Sequence, residues 1–170
     1  MTERADDNGI VVGVDGSEAS VAALRWAEKQ ARTLDAQVVA VHAWEPAEAR
    51  FAPYAPAAAR PTAEEQCERA AALLASAVRE AFGPHSSPPV RAVVVEGPPA
   101  RVLLQHARSA LLLALGRKAH GQWEAPAIGT VGRDCLRHAT VPVVTVPAAE
   151  KATPPLRAVT TPERVRSGAA

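Results

Sequence analysis

A segment rich in glycine and basic residues, Gly116 to Val131, carries the clearest chemical signal in the sequence. It follows an apolar run, residues 111–115, whose length and content are typical of a buried strand. It leads into residues 130–138, which have helical periodicity and begin with Thr130, a residue whose hydroxyl could cap the first free amides. The segment also contains three basic residues: Arg117, Lys118 and His120.

This combination predicts a cradle for an anion. The N-terminus of a helix presents unpaired N–H groups and a partial positive charge, and both favour phosphate. Glycines such as Gly116 and Gly129 would let the backbone close around that phosphate. Both could instead be ordinary turn glycines, so the prediction depends on their position between a strand and a helix.

A second candidate segment, residues 14–17, stands at the end of the first apolar run of the chain. Asp15 in this segment could contact a ligand, or it could cap the next helix, because Asp-Gly is a common turn pair. Taken alone, the residue favours the structural role. Ser17 and Ser20 could also be caps, and His42, inside an apolar run, is predicted to be a packed core residue.

Alternating strands and helices would position these segments. Five apolar runs are predicted strands: residues 10–14, 37–44, 90–95, 111–115 and 141–146. Helical patterns lie between them, and Thr62 and Glu65 have the spacing of a capping box at the start of the second. Such alternation predicts an α/β fold with a parallel sheet and helices on both faces.

The same alternation predicts where a ligand would bind. Crossovers are right-handed, so the helices change faces only where the strand order reverses. Ligands of such sheets bind at the carboxyl ends of the strands beside that reversal. The two candidate segments follow the first and fourth strands, and both would open onto one crevice if those strands are neighbours.

Composition narrows the possible functions. The 170 residues, 48% of them hydrophobic, fit one medium-sized domain with a substantial core. Nineteen basic and eighteen acidic residues without a basic stripe argue against a nucleic-acid partner.

No apolar run approaches a membrane span and no apolar signal core precedes the domain, so we expect a cytoplasmic protein without a membrane partner. Cys67 and Cys135 match no metal spacing, so no metal site is predicted.

The predicted domain covers residues 9–148, between a flexible N-terminus of residues 1–8 and a disordered tail of residues 149–170. Residues 45–61 are rich in alanine and proline and are predicted to form a long loop. We expect proteases to cut this loop and the tail first, because such segments make few buried contacts. Fragments that begin inside the first helix or the second strand would contradict these boundaries.

Several stretches of the sequence resemble the universal stress protein family, over roughly residues 9–147. They are the opening IVVGVDGSEAS, the strand VVAVHAW, the short VEGPPA and the ending GTVGRDCLRHATVPVVTV. The resemblance implies a five-stranded, doubly wound Rossmann-like sheet of order 3-2-1-4-5 and a dimer. It also implies ATP as a possible ligand, since many members bind it.

The resemblance further implies which residues would contact the nucleotide. ATP-binding members share Gly-x-x-Gly, nine residues and then Gly-Ser/Thr, and three of these four positions match here. Ala119 replaces the second glycine. The remaining contacts follow the family's first, second and fourth strands. The implied nucleotide-binding residues are Val14, Asp15, Ala43, Leu115, Gly116, Lys118, Ala119, Gly129, Thr130 and Val131.

We therefore expect a universal-stress-type regulatory protein that binds ATP, with Mg²⁺ accompanying it, and has no robust catalysis. The sequence contains no P-loop, nucleophile elbow or histidine pair at metal spacing. Two alternatives stay open: a dimeric stress-response scaffold that has lost nucleotide binding, and a slow ATPase. The expected partners are an unidentified regulatory protein and a second copy of the chain. That copy would pair through residues 143–146 at a sheet edge, where Pro142 is tolerated.

Overall fold

The computed structural model describes residues 8–46, 61–83, 90–118 and 128–148. Its strands are β1 Gly9–Gly13, β2 Gln37–Trp44, β3 Val90–Glu96, β4 Leu112–Arg117 and β5 Val143–Pro147. Its helices are α1 Glu18–Leu34, α2 Ala63–Phe82, α3 Pro99–His106 and α4 Thr130–His138. Most of the predicted N-terminal segment, alanine- and proline-rich loop and tail lie outside these ranges. Within the ranges, no helix is long and apolar enough to cross a membrane.

The five strands form one parallel sheet of order β3-β2-β1-β4-β5, which confirms the predicted fold class and strand order. The order reverses between β1 and β4. Helices α1 and α2 pack on one face of the sheet, and α3 and α4 pack on the other. Strand β5 lies at an edge, as the proline before it predicted.

The central strands are buried from both sides, so their sequences are almost continuously apolar. In β1, Ile10 and Val12 face α1 and α2, whereas Val11 faces α3 and α4. All three side chains are fully buried. Because the core is built from valine, alanine and leucine, the helices can approach the sheet closely.

The predicted strand boundaries agree with the observed ones to within two residues, and the difference in β4 matters most. Gly116 pairs with Val146 and Arg117 pairs with Pro147, so the strand continues past the predicted end. The Arg117 carbonyl also accepts a hydrogen bond from the Ala148 N–H at 3.1 Å. Gly116 therefore lies inside the strand, whereas the sequence predicted that it would follow the end of the strand.

The helix starts follow the predicted chemistry in two cases and depart from it in one. Ser17 is the N-cap of α1 and accepts a hydrogen bond from the Ser20 N–H at 3.2 Å. Thr62 and Glu65 form the predicted capping box of α2. The prediction that Thr130 caps α4 is wrong, because Gly129 is the N-cap and Thr130 is already the first helical residue.

His106 on α3 gives the fold a pH dependence. The side chain is 4% exposed, and its Nε2 has no hydrogen-bond partner among the described residues. Burial, and then the charge of Arg91, lower the pKa of His106 below 6.5. The unfolded chain therefore binds this proton more readily. The stability is fully present above about pH 6.5 and is lost as the pH falls towards the folded-state pKa.

We expect His106→Leu to flatten this part of the stability profile. One extra proton bound by the unfolded state changes the free energy of unfolding by at most about 1.4 kcal/mol per pH unit. The substitution should therefore reduce the slope of stability against pH by no more than that amount. Urea unfolding of both proteins at several pH values below 6.5 measures the two slopes. Identical slopes would mean that a different group takes up the proton.

Candidate functional site

A cleft of about 570 Å³ opens at the carboxyl ends of β1, β2 and β4, beside the first turn of α4. Its volume falls in the range of roughly 300–1,000 Å³ that is usual for small-molecule sites. The cleft lies where the strand order reverses, which is the position at which doubly wound sheets bind ligands. The two segments singled out in the sequence therefore do face one crevice.

Every predicted site residue that the structure describes lines this cleft. These residues come from the ends of three strands and from the start of α4: Val14, Asp15, Ala43, Leu115, Gly116, Lys118, Gly129, Thr130 and Val131. The tenth, Ala119, and the neighbouring His120 lie outside the described residues.

One wall of the cleft is apolar. Leu103 from α3 and Leu115 from β4 belong to one hydrophobic cluster there, and both side chains are buried. Gly13 makes this possible, since a Cβ at that position would lie 2.7 Å from Leu115 Cδ2 and 3.0 Å from Leu103 Cδ1. A wall of this kind suits a flat, weakly polar ring.

The opposite side of the cleft is built to attract an anion. The N-cap of α4, Gly129, has no side chain to bond the first-turn amides, so these N–H groups lack a side-chain cap. Arg117 and Lys118 line the same cleft. The partial positive charge of the helix start and the two cations act in the same direction.

Asp15 holds the turn between β1 and α1 without being the helix cap. Its Oδ1 accepts hydrogen bonds from the Ser17 N–H, at 2.9 Å, and from the Ser17 hydroxyl. Partial burial disfavours the carboxylate, but the hydrogen bonds from Ser17 and Ser20 outweigh it and lower the pKa of Asp15 below 3.8. The group is thus an ionised acceptor at neutral pH, placed where ligand hydroxyl groups could donate to it.

His42 is a cleft residue, so the prediction that it is a packed core residue is wrong. The ring is only partly buried and lines the cleft. Its Nδ1 lies 2.7 Å from the Val14 carbonyl oxygen. Because a carbonyl only accepts, Nδ1 donates, and in the neutral ring Nε2 is the acceptor. The signal available in the sequence was position, since His42 directly precedes Ala43 near the carboxyl end of β2.

Two further lining residues, Ser17 and Ile128, belong to the segments singled out in the sequence. Others come from α1, α3 and β5, which the sequence did not connect with the site: Ser20, Pro99, Leu103 and Thr145. Their approach to the cleft depends on how the helices pack on the sheet. No local pattern in the sequence reports that packing.

Gly116 also has a steric role that the sequence did not predict. A Cβ there would lie 2.4 Å from the Ala19 carbonyl carbon and 2.6 Å from the Ser20 nitrogen. The glycine therefore lets the first turn of α1 pack directly on β4. This close approach also brings Ser17 and Ser20 to the edge of the cleft.

The fold and the cleft together define a doubly wound α/β protein with a small-molecule crevice at the reversal of strand order. Comparison with known sequences makes the assignment specific. The sequence model of the universal stress protein family matches residues 8–147. The chain belongs to this family.

Individual relatives agree with the assignment. A universal stress protein of Mycolicibacterium smegmatis is 29% identical over 148 residues, which cover 86% of this chain and 50% of the relative. The chain thus spans about half the length of that protein. The universal stress protein UspA from Lactobacillus plantarum has a TM-score of 0.63 at 23% identity, over 84% of this chain and 99% of that one.

Two further solved structures contain a nucleotide. A universal stress protein in complex with cAMP has a TM-score of 0.59 at 22% identity, over 84% of this chain and 98% of that one. An Arabidopsis thaliana family member with AMP bound has a TM-score of 0.54 at 22% identity, over 86% of this chain and 96% of that one. At these identities the likeness establishes the shared fold.

Proposed function

We propose that this protein is a universal-stress-type regulatory protein that binds ATP in the cleft and carries out no robust catalysis. The observation that carries the proposal is the pairing, in one cleft, of an apolar wall with an uncapped helix start and two cations. An adenine nucleotide has the matching parts, since one end is a flat ring and the other a polyanion. The cAMP and AMP held by structural neighbours support the choice of adenine.

The proposed arrangement assigns each part of the nucleotide to a part of the cleft. The adenine would lie against Ala43 and Leu115, and Asp15 would accept hydrogen bonds from the ribose. The phosphates would bind near Lys118 and at the first amides of α4, around Thr130 and Val131. Mg²⁺, where it accompanies ATP, would bring charge compensation at the phosphate end.

The acid–base groups of the cleft support binding more than turnover. Among the described lining residues, Asp15 and His42 are the side chains to consider as general bases. Asp15 is a weak base because Ser17 and Ser20 lower its pKa. The Nδ1 of His42 donates to the Val14 carbonyl, which leaves Nε2 as the acceptor of the ring. The proposal of no robust catalysis therefore rests on the weak basicity of Asp15 and not on His42.

A calorimetric titration of the purified protein with ATP and Mg²⁺ tests this function. We expect saturable binding of one nucleotide per chain, and AMP and cAMP should compete for the same site. Chromatography of the nucleotide after prolonged incubation should return ATP. Accumulation of ADP would favour the slow ATPase, and the absence of binding heat at any temperature would favour the scaffold.

We also propose that β5 joins two copies of the chain around a two-fold axis. The Pro142 carbonyl accepts from the Leu113 N–H at 2.9 Å, and the Ala148 N–H donates to Arg117. Since pairing alternates along a parallel strand, the N–H groups of Val143 and Thr145 point to the open edge. An apolar edge of this kind is an aggregation hazard unless a partner strand covers it.

Light scattering at micromolar concentration is expected to give the mass of a dimer for the wild type. Thr145→Pro should give a monomer, because the substitution removes an outward N–H and leaves the hydrogen bonds to β4 in place. Circular dichroism should show an unchanged fold. A wild-type monomer, or a Thr145→Pro dimer of equal stability, would contradict this mode of pairing.

A further inference from the structure

A second cavity, of about 690 Å³, lies between α3 and α4 and shares no lining residue with the cleft. We call it the α3–α4 groove. Arg101, Leu104 and Arg108 line one wall, and Asp134 and His138 line the other. The nucleotide proposal makes no use of these residues.

The elements around this groove carry an excess of positive charge. Helix α3, the turn after it and helix α4 contain four arginines and one aspartate: Arg101, Arg108, Arg133, Arg137 and Asp134. On the other face of the sheet, α1 and α2 contain five basic and six acidic residues. Among the described helices, the excess of positive charge therefore lies on the α3 and α4 face of the sheet.

The four arginines are available to a partner. All of them are exposed, and the ion pair found within the described residues joins Arg32 to Glu28 on the opposite face. An exposed guanidinium without a carboxylate partner can bind an incoming carboxylate through two parallel hydrogen bonds. Within the described ranges, these four arginines are therefore donors without a paired carboxylate.

The walls of the groove differ in chemistry. On the α3 wall, Leu104 lies between Arg101 and Arg108 in the sequence, so an apolar contact separates two cations. On the α4 wall, His138 Nδ1 donates to the Asp134 carbonyl at 2.9 Å, which orients the ring. The carboxylate of Asp134 repels anions from the α4 wall and directs acidic groups to the α3 wall.

We propose that the α3–α4 groove is a docking site for an acidic segment of a partner protein. Carboxylates of that segment pair with Arg101 and Arg108, and an apolar side chain between them packs on Leu104. A concave groove with alternating charged and apolar contacts fits a polypeptide better than a flat, uniformly charged lipid surface. This function is separate from the cleft and gives the protein a surface through which it can contact a regulated target.

A fluorescein-labelled peptide of sequence Glu-Glu-Leu-Glu-Glu-Leu-Glu-Glu is the probe for this groove. Its fluorescence anisotropy should rise saturably as full-length protein is added, and the affinity should fall as salt is raised. The double variant Arg101→Glu/Arg108→Glu should bind about tenfold more weakly or worse, because two attractions become repulsions. A peptide with both leucines replaced by glycine should also bind more weakly.

The matched control is Arg69→Glu/Arg79→Glu on α2, which changes the net charge equally at exposed positions on the other face. This variant should bind the peptide about as tightly as the wild type. Equal losses in the two double variants, or no saturable binding, would overturn the proposal. So would displacement of the peptide by inorganic phosphate at the peptide's own concentration. Equally tight, Arg101-dependent binding to vesicles of phosphatidylcholine and phosphatidylglycerol in equal parts would assign the groove to membranes instead.

Discussion

Gly116→Ala is expected to lower the free energy of unfolding by about 3 kcal/mol or more, the upper end of the cost of overpacking. The added Cβ would lie 2.4 Å and 2.5 Å from the Ala19 carbonyl carbon and oxygen, and 2.6 Å from the Ser20 nitrogen. These are backbone atoms of the first turn of α1, so no change of side-chain rotamer can relieve the contact. The helix must move away from β4 or the strand must bend.

Thermal and urea unfolding measure this effect. For a domain of this size, each kcal/mol corresponds to a shift in Tm of about 2–4 °C, so a loss of roughly 6–12 °C is expected. The control is Gly129→Ala, where a Cβ meets nothing within 4 Å. Its cost should stay near that of a weaker N-cap, about 1 kcal/mol or less. Equal stabilities for the two variants would mean that α1 does not pack on β4 as described.

The sequence predicted the elements of this fold because their signals are local. Apolar runs of strand length, the Thr62–Glu65 capping box and the proline before β5 each act within a few residues. The alternation of strands and helices then required a parallel sheet covered on both faces. The strand order did not follow from these patterns, and it was supplied by the resemblance to a known family.

The details that the sequence missed depend on contacts between distant segments. Strand β4 is longer than its apolar run because β5 supplies partners for Gly116 and Arg117. His42 lines the cleft near the carboxyl end of β2, where its ring donates a hydrogen bond to the carbonyl of Val14 from the neighbouring strand end. Gly116 lines the cleft as expected, but no local pattern predicted that the backbone of α1 would pack directly beside it. Packing between elements decided each of these cases.

Gly129→Val is expected to abolish detectable ATP binding while the fold survives. The backbone at this position has φ −61° and ψ 168°, which a valine can adopt, and the space beside it is open. The branched side chain would cover the first amides of α4, where the proposed phosphates bind. We expect the affinity to fall by about a hundredfold or more, equivalent to roughly 2.7 kcal/mol. The weaker N-cap should cost about 1 kcal/mol of stability.

Ala119→Gly is the matched variant with the opposite sign. Ala119 lies outside the described residues, so this expectation rests on the motif, in which the position is a glycine. If the position requires positive φ, glycine relieves about 1–2 kcal/mol of strain, and ATP should bind roughly five- to thirtyfold more tightly. Greater flexibility of the free loop would return part of that gain. All three proteins would be titrated with ATP and Mg²⁺, with circular dichroism and light scattering as checks. If wild type and Ala119→Gly show no ATP binding and Gly129→Val does not differ from them, the nucleotide proposal fails. A dimer mass that persists in all three would then favour the scaffold.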